Sequence, residues 1–428
     1  MAISRLRMRM ALFASLVIPM ASSLQAADWP TFRGPERTGV APDDNLLEAW
    51  PEEGPKLIWE AVGAGRGYSS VIIAGDQLFT LGDGCSTASD ADEYLTAYDL
   101  KSGKQLWAAK TGAAWNEGPA DWQSSRSTPT VDQGMVYVIT PQGSLVCCEA
   151  NSGNEVWRKQ LKDDFGGNKG DGWGYSESVL IDGDRLICTP GGETSTVVAL
   201  DKKTGELIWK CVREGDRGAG HSSIVMSNVG GNPVYVQVTA SGPMGISPAD
   251  GKLLWTYDIE KTTAVIPTPI IRGDLVFFAV GYGRGGALLK QVSGAKGAVT
   301  VEEVYPLNTK LANKHGGVIL IGDHLYGDSD DKALPFCADL MTGEERWKSR
   351  ASGKGSAAFT GGDGMLYIQF ANGVFVLAKA TPEGYEEVSK FTIPGDTSRP
   401  CWAHPVINDG KLYIRVDDRL LCYDIAAK

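Results

Sequence analysis

The sequence has few of the residues that build metal, haem or disulfide-stabilised domains. Only 4 His occur among 428 residues, and the 8 Cys show no spacing typical of a structural zinc site. The segment Cys401-Trp-Ala-His404 lacks the second Cys of a haem-attachment motif. Eight Cys are also too few for a disulfide scaffold in a chain of this length. We therefore expect neither a zinc- or haem-binding domain nor a disulfide scaffold; an exported protein could pair some of these Cys, and the sequence does not select a pairing.

Long apolar runs are missing after the first residues of the chain. Residues 1–26 contain three Arg, an apolar stretch at 11–18 and a small-residue region that ends at Ala26. This pattern predicts a signal peptide that is cleaved after Ala26. No later window is apolar enough to span a bilayer, and no Cys follows the apolar stretch to suggest a lipid anchor. We expect a soluble, exported protein, periplasmic or extracellular, that does not span a membrane.

Basic residues are outnumbered. The chain has 41 Lys and Arg against 52 Asp and Glu, a formal net charge of −11, and removal of the signal peptide would make it −14. An acidic surface repels phosphate backbones, so nucleic-acid binding is not expected. A hydrophobic content of 43% and 53 Gly indicate a folded chain with many turns.

One phrase of eleven residues recurs along the chain. At 97–107 it reads Ala-Tyr-Asp-Leu-Lys-Ser-Gly-Lys-Gln-Leu-Trp, with fixed points at Asp99, Gly103 and Trp107. Further copies, some weaker, occur at 147–157, 199–209, 245–255 and 337–347. The Asp carboxylate can accept N–H groups of the turn, which Ser102 or its Thr equivalents can assist, and Gly supplies the positive-φ corner. The Trp can then bury its ring between neighbouring units, so each copy predicts a hairpin with an aromatic anchor.

The interval between copies predicts the architecture. The Trp residues that end the first four copies are separated by 46 to 52 residues, and each interval holds a second hairpin. Four strands per repeat of this length are typical of propeller blades. We predict an all-β, eight-bladed propeller of four-stranded antiparallel blades at 56–428, preceded by an irregular arm at 27–55.

The two ends of the predicted propeller complement each other. Leu57-Ile58-Trp59 matches the last strand of a blade, but the other three strands of that blade do not precede it. The final repeat stops at Asp424, before the strand that would carry its Trp. We therefore expect the N-terminal strand to close the ring inside the last blade, which removes an exposed edge. Blades five and seven lack the repeated phrase, and we expect 299–305 and 386–391 to be their outer strands.

Equivalent positions just before each inner strand predict a channel mouth. They are Tyr68, Arg126, Ser176, His221, Ile266, His315, Ser356 and Trp402. One Arg, two His and two aromatic rings favour an anionic or planar ligand, bound more tightly as pH falls through the His range near ~6.5. The alternative is that these groups only bond neighbouring blades and water.

Long loops before blades two and three add further candidates for this mouth, because function concentrates in long loops on a rigid scaffold. The complete candidate binding set is Tyr68, Trp122, Arg126, Trp173, Tyr175, Glu177, His221, His315 and Trp402. The sequence assigns no catalytic residue and no metal ligand.

The repeats also carry a resemblance to a known family. Residues 56–428 resemble the pyrroloquinoline-quinone-like repeat family of eight-bladed propellers, and 97–107 is similar to its tryptophan-docking motif. The resemblance implies the fold but leaves the function open. Similar propellers include quinone-dependent alcohol and sugar dehydrogenases, and scaffolds such as the lipoprotein of the outer-membrane barrel-assembly machine.

Two features of the dehydrogenases test the resemblance. Those enzymes carry two adjacent Cys joined over the cofactor, but Cys147 and Cys148 here align with packed strand positions and should point to opposite faces. They also hold Ca²⁺ beside the quinone. The nearest oxygen ligands here, without a dense Asp/Asn loop to group them, are Asp121, Glu177, Asn116 and Asn168.

Two functional hypotheses follow. We favour a monomeric, exported scaffold that binds a protein or small-molecule ligand over its loop-bearing face and for which no cofactor is assigned. The alternative is a dehydrogenase that uses pyrroloquinoline quinone and Ca²⁺ to oxidise an alcohol or a sugar.

Overall fold

The computed structural model describes residues 28–85 and 91–427, and the predicted signal peptide lies outside them. The described chain forms eight four-stranded antiparallel sheets arranged as the blades of a ring. The predicted all-β, eight-bladed propeller is confirmed. Within the described residues, the helical segments are limited to one short α-helix and three 3₁₀ turns, at Leu161–Phe165, Ala120–Trp122, Ala295–Gly297 and Thr309–Leu311.

The described residues form thirty-two strands, β1 to β32 in chain order. The first, β1 (Lys56–Val62), precedes blade one, which contains β2 (Ile72–Ala74), β3 (Gln77–Asp83), β4 (Asp92–Asp99) and β5 (Gln105–Ala113). Blade two contains β6 (Thr130–Asp132), β7 (Met135–Ile139), β8 (Ser144–Glu149) and β9 (Glu155–Gln160). Blade three contains β10 (Leu180–Asp182), β11 (Arg185–Cys188), β12 (Val197–Asp201) and β13 (Leu207–Cys211). Blade four contains β14 (Val225–Val229), β15 (Asn232–Thr239), β16 (Gly242–Ile246) and β17 (Leu253–Thr256).

The second half of the ring repeats this order. Blade five contains β18 (Ile270–Arg272), β19 (Leu275–Val280), β20 (Gly285–Ser293) and β21 (Val299–Asn308). Blade six contains β22 (Val318–Ile321), β23 (His324–Asp328), β24 (Pro335–Asp339) and β25 (Glu345–Lys348). Blade seven contains β26 (Ala357–Gly362), β27 (Met365–Phe370), β28 (Val374–Lys379) and β29 (Glu387–Thr392). Blade eight contains β30 (Val406–Asn408), β31 (Lys411–Val416) and β32 (Arg419–Asp424).

The ring closes through the first strand of the chain. Strand β1 pairs with β32, so that blade eight has the order β1-β32-β31-β30. The indole of Trp59 on β1 then donates to the carbonyl of Leu100 in blade one at 3.1 Å. The predicted closure is confirmed, and it joins the two ends of the propeller through both backbone pairing and an aromatic anchor.

The repeated phrase works by docking each Trp onto the next blade. The indoles of Trp107, Trp157 and Trp209 each donate at 3.1 Å to a carbonyl in the turn of the following blade. A Cβ built at Gly153 would lie 2.6 Å from the Trp107 ring, closer than atoms can approach. Glycine is therefore required at position 153 for two reasons: its φ is positive, at 73°, and there is no space for a side chain beside the indole.

The other fixed point of the phrase holds the turn itself. The carboxylate of Asp99 accepts the Ser102 N–H at 2.8 Å, and Asp339 accepts the N–H of Thr342 at 2.9 Å and its hydroxyl at 3.1 Å. These contacts confirm the predicted role of the Asp. Where blade five lacks the phrase, Trp255 bonds the side chain of Gln291 instead, at 3.2 Å.

A belt of hydroxyl groups joins the inner strands around the channel. The backbone N–H of Ser70 donates to Thr128 at 3.0 Å, and Thr128 N–H donates to Ser178 at 3.1 Å. Ser178 N–H donates in turn to Ser223 at 3.0 Å. Each hydroxyl thus satisfies a buried backbone donor of the preceding blade, which fixes the blades relative to one another.

The residues before β1 cross the channel. The arm makes single β-bridges to inner strands of blades one and seven, through Trp29 with Ile73 and Val40 with Gly361. Between them, the Arg37 guanidinium donates to carbonyls of blades three and four, including Ile224 at 2.9 Å. Because the arm contacts opposite sides of the ring, it closes one end of the channel.

The adjacent Cys of blade two lie on opposite faces of β8. Cys147 packs with Tyr137 against blade three, whereas Cys148 packs with Val136 toward blade one. Both are free, buried thiols, as the strand alternation predicts.

Candidate functional site

A cavity occupies the open end of the channel, with about 950 Å³ of empty space when the open solvent at its entrance is included. Seven of the eight predicted mouth positions line it, namely Tyr68, Arg126, Ser176, His221, Ile266, His315 and Trp402. The eighth, Ser356, lies behind them and bonds His315 Nδ1 at 2.9 Å. Phe32 and Arg33 of the arm contribute to the lining, so the arm forms the floor of the cavity.

Aromatic rings form much of the wall. Trp122 and Trp173, from the two long loops, meet edge to face with centroids 5.7 Å apart. On the other side, Trp402 lies 4.3 Å from the ring of His315 and 4.9 Å from that of Tyr68. These flat surfaces can hold an apolar or aromatic group by stacking.

The charge of the lining opposes the charge of the protein. No Asp or Glu is among the described residues that line the cavity, whereas Arg33, Arg126 and Lys314 are. Buried Arg33 Nη1 and Trp402 Nε1 lack a hydrogen-bond partner within the described chain. Burial lowers the pKa of Arg33 and of Arg126 to about 10, which leaves both charged at neutral pH. Unpaired donors and cations make this cavity suited to an anionic group.

Two predicted residues do not reach the cavity. Tyr175 donates its hydroxyl to the Pro190 carbonyl at 2.8 Å, and Glu177 accepts the Thr189 N–H at 2.7 Å. Burial raises the pKa of Glu177 to about 7. In an extended segment, successive side chains point to opposite sides, so Ser176 faces the cavity while its two neighbours face the blade interior.

The histidines are not ordinary titrating groups. Burial lowers the pKa of His221 to about 4, with Lys169 acting in the same direction and Asp171 opposing it. Burial likewise lowers the pKa of His315. The His221 ring is therefore neutral near pH 6.5, so it gives no support to the expectation that anion binding strengthens as pH falls through that value. The positive charge of the site comes from Arg and Lys.

A network behind the mouth holds His221. Its Nε2 lies 3.0 Å from a carboxylate oxygen of Asp171, and its Nδ1 is hydrogen-bonded to the Ser176 hydroxyl. Asp171 also accepts the Trp173 N–H at 3.1 Å and lies 3.7 Å from Lys169 Nζ. Burial opposes ionisation of Asp171, but His221 and Lys169 hold its pKa well below the usual range.

Sequence reasoning missed several of these groups. Asp171 lies in a Gly-rich loop, where an isolated acid looks like a solvated turn residue. Arg33 belongs to the non-periodic arm, and Tyr282 and Lys314, which also line the cavity, lie outside the repeated phrase. Of these residues, only Lys314 could have been predicted to line the cavity, because it directly precedes the predicted mouth residue His315.

The oxygen ligands proposed for Ca²⁺ are not brought together. Asn116 accepts from Arg66 at 3.0 Å, Asn168 donates to the Arg217 carbonyl, and Glu177 is satisfied inside blade three. Across 28–85 and 91–427, no three His, Cys, Asp or Glu side chains converge as metal ligands. These residues do not fit the calcium site that a quinone dehydrogenase needs. The same ranges contain no helix long and apolar enough to cross a bilayer.

Comparison with known sequences links the chain to one family. A family model described as outer membrane protein assembly factor BamB matches residues 91–349, more than half of the chain. The protein of that name from Shewanella oneidensis is 26% identical over 306 residues, which cover 66% of this chain and 71% of the relative. The one from Moranella endobia is 27% identical and is covered over 61% of its length, with 57% of this chain aligned.

Solved structures share the fold. BamB from Moraxella catarrhalis superposes with a TM-score of 0.59 at 15% identity, over 87% of this chain and 100% of that chain. A quinohemoprotein alcohol dehydrogenase from Comamonas testosteroni superposes with a TM-score of 0.62 at 14% identity, over 94% and 81%. At such identities the likeness establishes the propeller and not a shared activity.

Proposed function

The chain belongs to the family of the outer membrane protein assembly factor BamB, and on that premise we propose that it is an exported scaffold that binds a protein partner during outer membrane protein assembly. The propeller supplies a rigid ring, and the long loops at its open end supply the contact surface. Loops on a rigid scaffold are where binding residues concentrate.

The cavity carries this proposal. It combines aromatic walls with unpaired donors of Arg33 and Trp402 and has no acidic lining residue in the described chain. In a protein with a net charge of −11, such a site selects an acidic group of the partner. The binding set is Tyr68, Trp122, Arg126, Trp173, His221, His315 and Trp402, with Arg33 at the floor. Tyr175 and Glu177 support the loop from behind.

The alternative dehydrogenase function receives less support. Solved dehydrogenases share the fold, yet Cys147 and Cys148 face apart and the oxygen ligands for Ca²⁺ do not converge. A protein-binding role requires neither feature.

Location and assembly state are part of the same proposal. The signal-like pattern at 1–26 supports release into the periplasm after cleavage behind Ala26, as a soluble monomer. Sequencing the N-terminus of the exported protein and measuring its mass in solution test both statements. A cytoplasmic, uncleaved chain would exclude the assembly role.

The direct test combines binding with a deletion strain. Purified protein on a biosensor should bind an unfolded outer membrane β-barrel protein or a purified assembly component, and Trp122→Ala should weaken that binding at least tenfold. Leu106→Ala is the matched control, because Leu106 is exposed on the rim of blade one, far from the mouth. Loss of the gene should reduce folded outer membrane proteins in the source cell.

Two results would refute the scaffold. One is unchanged outer membrane protein levels in the deletion strain together with no measurable binding. The other is binding that depends on Leu106 and not on Trp122, which would move the contact surface to the rim.

A further inference from the structure

Two clusters of the same three residue types lie at the mouth, each with its Asp behind the cavity lining. In the first, Ser176, His221 and Asp171 join blades three and four. In the second, Ser356 and His315 join blades seven and six, with Asp331 beside them. The clusters differ in how the imidazole is connected.

In the first cluster, the two ring nitrogens serve different partners. His221 Nε2 lies 3.0 Å from Asp171, so its proton is donated to that carboxylate. The lone pair of Nδ1 is then left for the hydroxyl proton of Ser176. A hydroxyl that bonds a base, which is in turn oriented by a carboxylate, is the arrangement of an activated nucleophile.

In the second cluster, one nitrogen serves both partners. His315 Nδ1 lies 2.9 Å from Ser356 and 3.2 Å from Asp331. A single nitrogen cannot both donate to the carboxylate and accept the serine proton. Ser356 is also absent from the cavity lining, whereas Ser176 is part of it. The second cluster is therefore a built-in control for the first.

We infer that Ser176, His221 and Asp171 form a nucleophilic centre that hydrolyses esters of small acids. The acyl part of such an ester also carries a negatively charged group. Ser176 faces a cavity lined by Arg126 and by Arg33, whose Nη1 has no partner within the described chain. These charges account for the anionic substrate, whereas Lys314 is paired with Asp331. Arg126 occupies the neighbouring mouth position; its guanidinium donates to the carbonyls of Trp173 and Trp122, and its positive charge stabilises the oxyanion that develops beside Ser176. This activity goes beyond the scaffold role and does not require it.

The reaction uses only water as a co-reactant. Ser176 Oγ bonds to the acyl carbon while its proton moves to His221 Nδ1, and Asp171 stabilises the resulting imidazolium. The ester C–O bond breaks, and the leaving oxygen takes that proton. Water then attacks the acyl-serine, gives its proton to Nδ1, and releases the acid as Ser176 Oγ recovers the proton.

The test is labelling of the purified, mature protein by a fluorophosphonate probe, with the modified serine located by mass spectrometry. We expect at least tenfold more adduct on Ser176 than on Ser356 in the same sample. Asp171→Asn should reduce labelling of Ser176 at least tenfold, and Asp331→Asn should leave it unchanged. Ser176→Ala should abolish turnover of mono-4-nitrophenyl succinate.

The inference fails if Ser176 and Ser356 are labelled equally, because the two serines then have equal reactivity. It also fails if folded Asp171→Asn is labelled as fast as the wild type. Should that variant unfold, the wild-type ratio and the Ser176→Ala turnover still decide. No partner is present in these assays, so their outcome is separate from that of the scaffold test.

Discussion

The rim and the mouth of this propeller are built on opposite principles. At the rim, each Trp docks on the next blade, and the same contact recurs from Trp59 on Gly103 to Trp209 on Gly251. At the mouth, eight equivalent positions carry residues as different as Arg126, Ile266 and Trp402. Repetition at the rim gives stability, and variation at the mouth gives chemistry.

This contrast predicts that stability and binding can be separated by mutation. Rim variants should lose stability and keep the chemistry of the mouth. Mouth variants should do the reverse, except where a buried charge contributes to both.

The largest effect is expected from the Trp that closes the ring. Trp59→Ala should cost about 3–5 kcal/mol, because a buried indole and its hydrogen bond to Leu100 are lost at the closing blade. Trp122→Ala, at a mouth residue that is 39% exposed, should cost less than about 1 kcal/mol. Chemical denaturation of both variants measures the difference. Equal losses would erase the distinction between rim and mouth.

A smaller effect is expected from the buried imidazole of His221. Its pKa is about 4 in the fold against an ordinary 6.5, so the unfolded chain binds the proton more tightly between these values. The stability that neutral His221 contributes is complete above pH 6.5 and is lost as pH falls toward 4. Between pH 7 and 5 the loss is about 2 kcal/mol.

The matching measurement compares wild type with His221→Gln by denaturation at pH 7 and pH 5. Buried acids such as Glu177, with a raised pKa, act in the opposite direction but are common to both proteins. The variant should therefore lose about 2 kcal/mol less than the wild type on acidification. An identical loss would mean that His221 titrates normally.

The next effect is on binding. Arg126→Ala should weaken the binding of the aromatic anion anilinonaphthalene sulfonate about tenfold, or about 1.4 kcal/mol. The substitution removes a positively charged guanidinium from the cavity lining. The affinity should change little between pH 7.5 and 5.5, since His221, with a pKa of about 4, stays neutral there and burial also lowers the pKa of His315. Arg346→Ala, on the outer strand of blade six, is the control. Affinity that rises steeply on acidification would restore the histidines as the anion site.

The smallest effect is expected for a packed thiol. Cys147→Ala should cost about 1 kcal/mol and leave binding of the same probe unchanged, because Cys147 lies in the interface between blades two and three. Mass spectrometry should find Cys147 and Cys148 reduced. A disulfide between them would contradict the observed strand geometry and reopen the dehydrogenase alternative.

The repeated phrase determined the fold because its interactions are local. Asp99 bonds a turn three residues away, and Gly103 makes the corner that the backbone needs. Equivalent phrases therefore indicate equivalent strands and a four-stranded unit. The eight inner-strand starts give the blade count, and the unpaired last strand at Trp59 predicts the closure. The same regularity located seven of the cavity-lining positions, since each holds a fixed place before an inner strand.

The tertiary structure alone decided the chemistry of the mouth. Asp171 meets His221 across 50 residues of sequence, and Arg33 reaches a carbonyl 285 residues away, at Val318. Whether Glu177 faces the cavity depends on the local backbone, and whether His221 is charged depends on burial. Local sequence cannot encode such distances and environments, because they exist only when the ring has closed and excluded water.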